Sequence, residues 1–141
     1  MSARHQLLLV VLFLLFLLFF TVTEPDDIAR KALGDKLGIA RYGFVLPMDE
    51  SLARVAVDLS GRPAIVFEGA FPRDAVGQLS TEMVRHFFAS LSQSLGAAIH
   101  LEVSGENTHH MVEACFKGVG RALRQAIRIE DGELPTTKGT L

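Results

Sequence analysis

The amino-acid sequence predicts an α+β fold, with one β-sheet layer and two helices packed on one of its faces, preceded by an apolar N-terminal helix. Three observations predict it. Apolar and polar residues alternate in short segments, as they do in half-buried strands. Two longer segments repeat their apolar residues at the spacing of one helical face. The order strand-strand-strand-helix-strand-helix favours a single sheet with its helices on the same side.

The N-terminal segment differs from the rest of the chain. Residues 1–23 form this segment, and residues 24–141 form the predicted domain. Leu7 to Phe20 is an unbroken apolar run, shorter than the ~20 residues that span a bilayer but typical of the core of a signal peptide. Three interpretations stay open: an anchor or signal segment, a helix buried against the domain, and an artefact of gene truncation. Contact with a membrane through residues 7–22 is compatible with the first.

Short apolar segments, the last of which alternates with polar residues, predict four strands, at residues 42–46, 52–59, 64–67 and 99–103. The first is predicted to end at Pro47. The second is closed by a turn that includes Gly61 and Pro63. A short helix ahead of them begins at the acidic residues near Glu24 and stops near Gly34.

Two longer helices follow the third and fourth strands. Ser80 or Thr81 caps the first of them, and Gly96 ends it. Its apolar face holds six residues: Met83, Val84, Phe87, Phe88, Leu91 and Leu95. Asn107 or Thr108 caps the second, which is predicted to run to about residue 129. Its two glycines, at 118 and 120, lower helix propensity and predict close packing against a neighbour.

Composition and charge exclude some classes of function. The net charge of −2, without a basic stripe and interleaved aromatic residues, gives no basis for a nucleic-acid partner. Cys115 is the only cysteine, so an intramolecular disulfide is impossible, and this usage fits a reducing compartment. No reactive-thiol motif surrounds Cys115, and we expect it to be a small buried residue on a helix.

A pair of histidines opens the last helix and is the strongest candidate for chemistry. His109 and Glu113 lie four residues apart and share a helix face, and His110 lies three residues from the same glutamate. Adjacent helix residues point about 100° apart, so the two histidines would serve two ions, or ions shared with other chains. We expect the side chain of His100, on the strand just before, to reach the same end of the sheet.

These side chains suit a transition metal. Imidazole and carboxylate ligands bind Mn, Fe, Co, Ni or Zn, and the lack of thiolates argues against a structural zinc site. Taken alone, however, the HHxxE pattern favours a polar helix start that carries two solvated histidines, and it is the nearby His100 that strengthens the metal interpretation. The pattern by itself leaves both interpretations open.

Residues 38–141 resemble the imidazoleglycerol-phosphate dehydratase family. Seven segments carry the resemblance, in the family's order and at nearly its spacing: Gly38-Ile39-Ala40-Arg41-Tyr42-Gly43, Met48-Asp49-Glu50, Asp58-Leu59-Ser60-Gly61-Arg62-Pro63, Gly105-Glu106-Asn107-Thr108-His109-His110, Phe116-Lys117, Arg121-Ala122-Leu123-Arg124-Gln125-Ala126 and Thr137-Lys138-Gly139. The resemblance implies one half of the family's two-repeat fold.

The resemblance also implies a chemistry and a set of residues. Family members dehydrate imidazole glycerol phosphate to imidazole acetol phosphate in histidine biosynthesis, with two Mn²⁺ ions in each complete site. Metal-ligand positions then fall on four residues: His100, His109, His110 and Glu113. Catalytic positions fall on Glu113 and Glu50, since a carboxylate near the metals can move a proton.

The resemblance further assigns a site for the substrate's phosphate. The family's phosphate-binding positions fall on four residues: Arg41, Arg62, Thr136 and Lys138. Cations and hydroxyl donors are the groups that recognise a phosphate. The resemblance also implies two kinds of partner, a small-molecule phosphate substrate and further copies of the chain in a homo-oligomer. It implies a location in the cytoplasm as well.

The chain departs from the family pattern in one respect. The family has two similar halves, each with an HHxxE motif, and each metal takes ligands from both halves in different subunits. Only one such motif occurs here, and the apolar run stands where the first half belongs. Two interpretations follow: a truncated dehydratase with an incomplete metal site, or a non-catalytic, membrane-associated interaction or regulatory module that keeps the half-domain fold.

Overall fold

The computed structural model describes residues 30–129. The predicted apolar N-terminal helix, the proposed membrane contact and the C-terminal tail lie outside the described residues. Four strands form one mixed sheet: β1 (Tyr42–Met48), β2 (Ser51–Asp58), β3 (Ala64–Glu68) and β6 (Ala98–Ser104). A two-stranded hairpin is made of β4 (Ala75–Val76) and β5 (Leu79–Ser80), and the two long helices are α1 (Glu82–Leu95) and α2 (Thr108–Ala126).

The sheet has the order β1-β2-β6-β3. β1 pairs with β2 and β2 pairs with β6 in antiparallel fashion, whereas β3 and β6 are parallel. A parallel pair needs a long connection, and α1 lies within the crossover between β3 and β6. The predicted order of elements is therefore confirmed, with the small hairpin β4–β5 as an addition.

Both helices pack on the same face of the sheet. Buried residues alternate along β2 and β6, as the period of two requires, with Val55 and Leu101 among those turned toward the helices. The rings of Phe87 and Phe88 on α1 lie 5.0 Å and 4.9 Å from the ring of Phe116 on α2, which joins the two helices over the core. The predicted layer with two helices on one face is confirmed.

The prediction for the glycine at 118 is also confirmed. A Cβ atom built on Gly118 would lie 2.8 Å from Cγ2 of Val55, so a larger residue would push α2 away from β2. A still closer approach occurs at Gly43 in β1, where a Cβ atom would lie 2.0 Å from the backbone oxygen of Ala122. These two glycines set the distance between α2 and the sheet.

The end of β1 was predicted wrongly. The strand does not stop at Pro47 but continues to Met48, and Pro47 pairs with Leu52 of β2. β1 lies at the edge of the sheet, where a residue without an N–H group leaves no partner unsatisfied. The longer strand brings the following turn, at Asp49 and Glu50, close to the start of α2.

The end of α2 was also predicted wrongly. The helix stops at Ala126 rather than near Ile129. Here the backbone leaves the helix to pair with the segment before β1: Arg41 N donates to Ala126 O at 2.7 Å, Ala40 N donates to Arg128 O at 2.6 Å, and Ile39 forms an isolated bridge with Ile129. Bonds between distant parts of the chain therefore end this helix.

Helix caps follow the sequence pattern in part. Asn107 is the N-cap of α2, and its side chain accepts hydrogen bonds from the backbone N–H groups of His109 and His110. Thr81 is the N-cap of α1 but makes no side-chain cap bond, since its hydroxyl donates to Arg73 O. Gly96 ends α1 in the left-handed conformation, with φ of 58°.

The predicted short helix before β1 is confirmed where it is described, because residues 30–33 are helical and Gly34 leaves the helix with φ of 59°. Cys115 is fully buried on α2, as predicted, and burial raises the pKa of its thiol to about 12. Among residues 30–129, none of the helices combines the length and apolar character needed to cross a membrane.

Candidate functional site

The paired histidines lie where the β1–β2 turn meets the first turn of α2. Asn107 Oδ1 accepts from the backbone N–H groups of His109 at 2.9 Å and His110 at 3.4 Å. This cap satisfies two of the free N–H groups at the helix start and fixes the direction in which both histidines leave the backbone.

Glu50 connects the turn to the helix through both of its carboxylate oxygens. Oε2 lies 2.8 Å from Nδ1 of His110. Oε1 accepts from the backbone N–H of Asn107 at 3.1 Å and from the hydroxyl of Ser51 at 3.0 Å. Ser51 is itself buried in β2, so the carboxylate is held from the strand as well as from the helix. This arrangement forms a clamp between β2 and α2.

The clamp shifts both ionisable groups toward their charged forms. The bond from His110, with further bonds from backbone N–H groups and Ser51, holds the pKa of Glu50 down at about 2. The same carboxylate raises the pKa of His110 above its ordinary value of 6.5, and Asp49 and Glu113 add smaller contributions of the same sign. His110 and Glu50 therefore form an ion pair in mildly acidic solution.

His109 belongs to a second, more exposed group along the helix. Its Nε2 lies 3.6 Å from Oε2 of Glu113, one turn later. The other oxygen of Glu113 lies 2.5 Å from Nζ of Lys117, a further turn along. Lys117 also contacts Sδ of Met48 at 3.4 Å, which ties this row of side chains to the end of β1. The row presents an imidazole and a carboxylate to the same side of α2.

The two histidine rings point in different directions. Their centroids lie 6.1 Å apart, and their planes meet at 65°. Adjacent residues on a helix point about 100° apart, so their rings diverge in this way. Such a pair of rings is suited to binding two metal ions rather than one. The imidazole and carboxylate donors fit manganese in kind. Within residues 30–129, however, no group of three or more such side chains converges on one point that could hold a metal ion.

His100 does not join this cluster within one chain. Its side chain is exposed, between the buried neighbours Ile99 and Leu101, and so lies on the face of the sheet opposite the helices. It lines a shallow open depression there with Arg54, Glu68 and other residues of the central strands. The expectation that His100 reaches the end of the sheet near the histidine pair is therefore wrong, because the alternation along β6 turns it away.

Arg41 lies at the other end of the sheet, next to the start of β1. Its Nε and Nη2 donate to the two carboxylate oxygens of Asp58, the second bond at 3.0 Å, in a bidentate pair. The Arg41 side chain is only 11% exposed, and its backbone has φ of 67°. Lys36 is buried beside this pair and donates to Leu59 O at 3.4 Å. Burial, with the nearby charges of Arg30 and Arg41, lowers the pKa of Lys36.

Of the three remaining candidate phosphate-binding residues, one lies among the described residues and two lie outside them. Arg62 is exposed in the turn after β2, at the same end of the sheet as Arg41. Thr136 and Lys138 lie outside the described residues, and their assignment stays a prediction.

The histidine cluster and the arginine cluster lie at opposite ends of α2. Asn107 caps the first turn of this helix, and the backbone of Arg41 bonds to its last residue, Ala126. The helix has 19 residues, and at a rise of 1.5 Å per residue its first and last Cα atoms lie about 27 Å apart. Among residues 30–129, the histidine pair and the candidate phosphate ligands Arg41 and Arg62 therefore do not face the same space.

Several contact residues were not found from the sequence. Asp58 and Ser51 acquire their places from the strand pairing, in which Tyr42 lies opposite Asp58 and Met48 opposite Ser51. The helical spacing of Glu113 and Lys117 was a local signal for their contact, since residues four apart on a helix are neighbours.

The comparison with known proteins agrees with the fold and the motif. A sequence model of the family described as imidazoleglycerol-phosphate dehydratase matches residues 27–123. The histidine biosynthesis bifunctional protein HisB of Legionella pneumophila is 61% identical over 121 residues, which cover 86% of this chain and 34% of that protein. The HisB protein of Stenotrophomonas maltophilia is 59% identical over 112 residues, 79% of this chain and 31% of that protein.

Two solved structures are similar in fold. The imidazoleglycerol-phosphate dehydratase of Staphylococcus aureus has a TM-score of 0.71 at 39% identity, covering 74% of this chain and 62% of that chain. The enzyme of Pyrococcus furiosus has a TM-score of 0.69 at 38% identity, covering 82% of this chain and 69% of that chain.

This chain thus spans about a third of the length of the bifunctional relatives that it matches. The match of the family model extends over most of the chain and includes the histidine pair and the Arg41–Asp58 pair. The chain belongs to the imidazoleglycerol-phosphate dehydratase family, a family of hydro-lyases in histidine biosynthesis.

Proposed function

We propose that this chain supplies one half of the active site of a manganese-dependent imidazoleglycerol-phosphate dehydratase, which acts in the cytoplasm. The reaction removes water from imidazole glycerol phosphate to give imidazole acetol phosphate. The observation that carries the proposal is the capped and clamped turn of α2, which presents His109, His110 and Glu113 in a chain of this family.

The metal ligands of the proposal are His109, His110 and Glu113. Bound manganese would polarise the substrate's imidazole and so make the neighbouring C–H bond acidic. His109 and His110 diverge, so each serves a different one of the two ions. Glu113 lies beside His109 and is the carboxylate that we assign to proton transfer. His100 stays a candidate ligand only for a site that another chain completes from the opposite face of the sheet.

The proposed site is composite because of the distance between its parts. The arginine cluster, with Arg41 and Arg62, lies about 27 Å along α2 from the histidines. A substrate of one imidazole ring, three carbons and a phosphate extends roughly 10 Å, from bonds of about 1.5 Å. One molecule cannot contact both clusters of the same chain. We therefore propose a homo-oligomer in which the histidine end of one chain meets the phosphate ligands of another, with Thr136 and Lys138 among them.

The metal site also needs ligands that are not among the described residues. Residues 30–129 contain no convergent set of three donors, and one or two imidazoles hold Mn²⁺ weakly. We propose that the missing ligands come from a partner that carries the family's other HHxxE motif. The chain alone would then bind metal weakly and turn over little substrate.

The lack of a convergent donor set also favours a second candidate function. In this alternative the chain keeps the half-domain fold as a non-catalytic interaction or regulatory module, associated with a membrane through residues 7–22. Growth separates the two candidates. A dehydratase-deficient strain that expresses this chain with a fragment carrying the first family half should grow without histidine if the dehydratase proposal holds.

Two variants serve as controls for this experiment, one inside the proposed site and one outside it. His109→Ala with His110→Ala in the same chain should abolish growth, while Glu102→Gln, on the opposite face of the sheet, should leave it intact. Growth of the double variant at the wild-type rate would favour the non-catalytic module.

A further inference from the structure

We propose that Glu50 is a positioning residue for His110: it fixes the ring and the tautomer of this histidine so that Nε2 is presented to a metal ion. The inference rests on the proposed function, because that function supplies the ion. It changes the role expected for Glu50, which acts through His110 rather than on the substrate.

A short hydrogen bond joins the side chains of Glu50 and His110. Oε2 of the Glu50 carboxylate lies 2.8 Å from Nδ1 of His110. An ionised carboxylate can only accept hydrogen bonds, so the neutral imidazole must carry its proton on Nδ1. The lone pair is then on Nε2, the nitrogen that points away from Glu50. A histidine that binds metal through one nitrogen usually donates from the other to such a carboxylate.

The carboxylate of Glu50 is itself held in one orientation. Oε1 accepts from the backbone N–H of Asn107 and from the hydroxyl of Ser51, and Ser51 is only 1% exposed. A backbone N–H cannot reverse its role, so Oε1 must remain an acceptor. The direction of Oε2 toward His110 is therefore set by the core of the domain and by the N-cap of α2.

The neighbouring histidine, His109, differs from His110 in its exposure and in its contacts. The side chain of His109 is 65% exposed, whereas that of His110 is 29% exposed. Nε2 of His109 faces Glu113 at 3.6 Å, which leaves its ring orientation to a single long contact. The ring of His110 is thus held more firmly than the ring of His109 in the metal-free chain.

The substitution Glu50→Gln tests this role with almost no change of shape. The glutamine oxygen must face the N–H of Asn107, which places its NH₂ group against Nδ1 of His110. The ring then has to accept at Nδ1 and carry its proton on Nε2, the opposite tautomer. Asp49→Asn is the matched control, because it removes a charge from the same turn at 4.0 Å from Nδ1, beyond hydrogen-bond distance.

The readout is the tautomer of His110 in the metal-free full-length chain. Two-bond ¹H–¹⁵N NMR measures it at a pH at which His110 is neutral. We expect the Nδ1–H tautomer in the wild-type protein and in Asp49→Asn, and the Nε2–H tautomer in Glu50→Gln. A wild-type His110 in the Nε2–H tautomer, or a tautomer unchanged by Glu50→Gln, overturns the proposal.

Manganese affinity provides the second readout, by titration of Mn²⁺ into the chain together with the first-half fragment. Loss of such an outer partner weakens metal binding roughly 10- to 100-fold, so we expect that loss for Glu50→Gln and no comparable loss for Asp49→Asn. Equal affinities for wild type and Glu50→Gln contradict the positioning role. If wild type and both variants all fail to bind Mn²⁺, the proposed function fails, and the tautomer still decides the role of Glu50.

Discussion

Nδ1 of His110 lies 2.8 Å from Oε2 of Glu50, and this contact joins the β1–β2 turn to the first turn of α2. The two residues are 60 positions apart in the sequence. The contact depends on β1 continuing past Pro47, because the longer strand brings Glu50 to the helix start. The turn after the edge strand β1 thus holds His110, a candidate metal ligand, in place.

The first prediction concerns the pH range in which this pair is charged. Glu50, with its pKa lowered to about 2 from 4.5, stabilises the fold above pH 4.5 and loses this contribution as the pH falls toward 2. His110, with its pKa raised above 6.5, contributes below pH 6.5 and loses its contribution as the pH rises through the raised value. The contribution of the pair is therefore complete between about pH 4.5 and 6.5.

An NMR titration of the wild-type chain and of Glu50→Gln checks this prediction. The substitution should lower the pKa of His110 toward its ordinary value, because it removes the largest cause of the shift. Asp49→Asn should lower it less, since Asp49 acts only through charge. If Glu50→Gln leaves the pKa of His110 unchanged, the ion pair does not form in solution.

The second prediction concerns Asp58. Asp58→Asn leaves the mostly buried guanidinium of Arg41 without its bidentate carboxylate, and should lower the free energy of unfolding by about 1–3 kcal/mol. The control is Glu102→Gln, which breaks the exposed pair with Arg54 and should cost less than about 1 kcal/mol. Urea unfolding followed by circular dichroism measures both. Equal losses for the two variants would show that the Arg41–Asp58 pair stabilises the fold no more than the exposed Arg54–Glu102 pair does.

The third prediction concerns the packing of β1 against α2. Gly43→Ala places a methyl group 2.0 Å from the backbone oxygen of Ala122, so strand and helix must move apart. We expect a loss of ~3 kcal/mol in the free energy of unfolding. Gly77→Ala is the control: it meets no atom within 4 Å and adds only the cost of a left-handed alanine, about 1 kcal/mol. A Gly43→Ala protein as stable as Gly77→Ala would contradict the close approach.

The fourth prediction concerns the N-cap of α2. Asn107→Ala removes the acceptor for the N–H groups of His109 and His110 and should lower the free energy of unfolding by about 1 kcal/mol. Asn107→Ser keeps a capping oxygen and should lose much less. Thermal unfolding of the two variants tests this. Identical melting temperatures would mean that the side chain does not cap the helix.

The main layers of the fold could be predicted from the sequence because burial is a local pattern. The apolar residues Val55 and Val57 occupy alternate positions, as do Ile99 and Leu101, and they were placed correctly in β2 and β6. The same alternation predicts the orientation of His100. This residue lies between two residues that face the helices, so its own side chain faces away from them. Closeness along the chain does not decide which face of a sheet a side chain occupies, whereas its parity in the strand does.

The other differences depend on contacts between distant residues. The end of α2 at Ala126 depends on backbone bonds to residues 39–41, and the passage of β1 through Pro47 depends on its place at the edge of the sheet. The partners of Arg41 and His110, Asp58 and Glu50, follow from strand register and from the turn that it positions. Spacing along the chain does not encode these distances, so the candidate site could be predicted as a set of residue types but not as a geometry.

The central claim is that His109 and His110 provide one half of a manganese site that a partner half completes. The most direct test is Mn²⁺ binding by isothermal titration calorimetry to the full-length chain, to a fragment with the other HHxxE motif, and to their mixture. The account predicts tight binding only in the mixture, and its loss when the mixture contains the His109→Ala, His110→Ala chain. Equally tight binding by the mixture with and without the two histidines would contradict it.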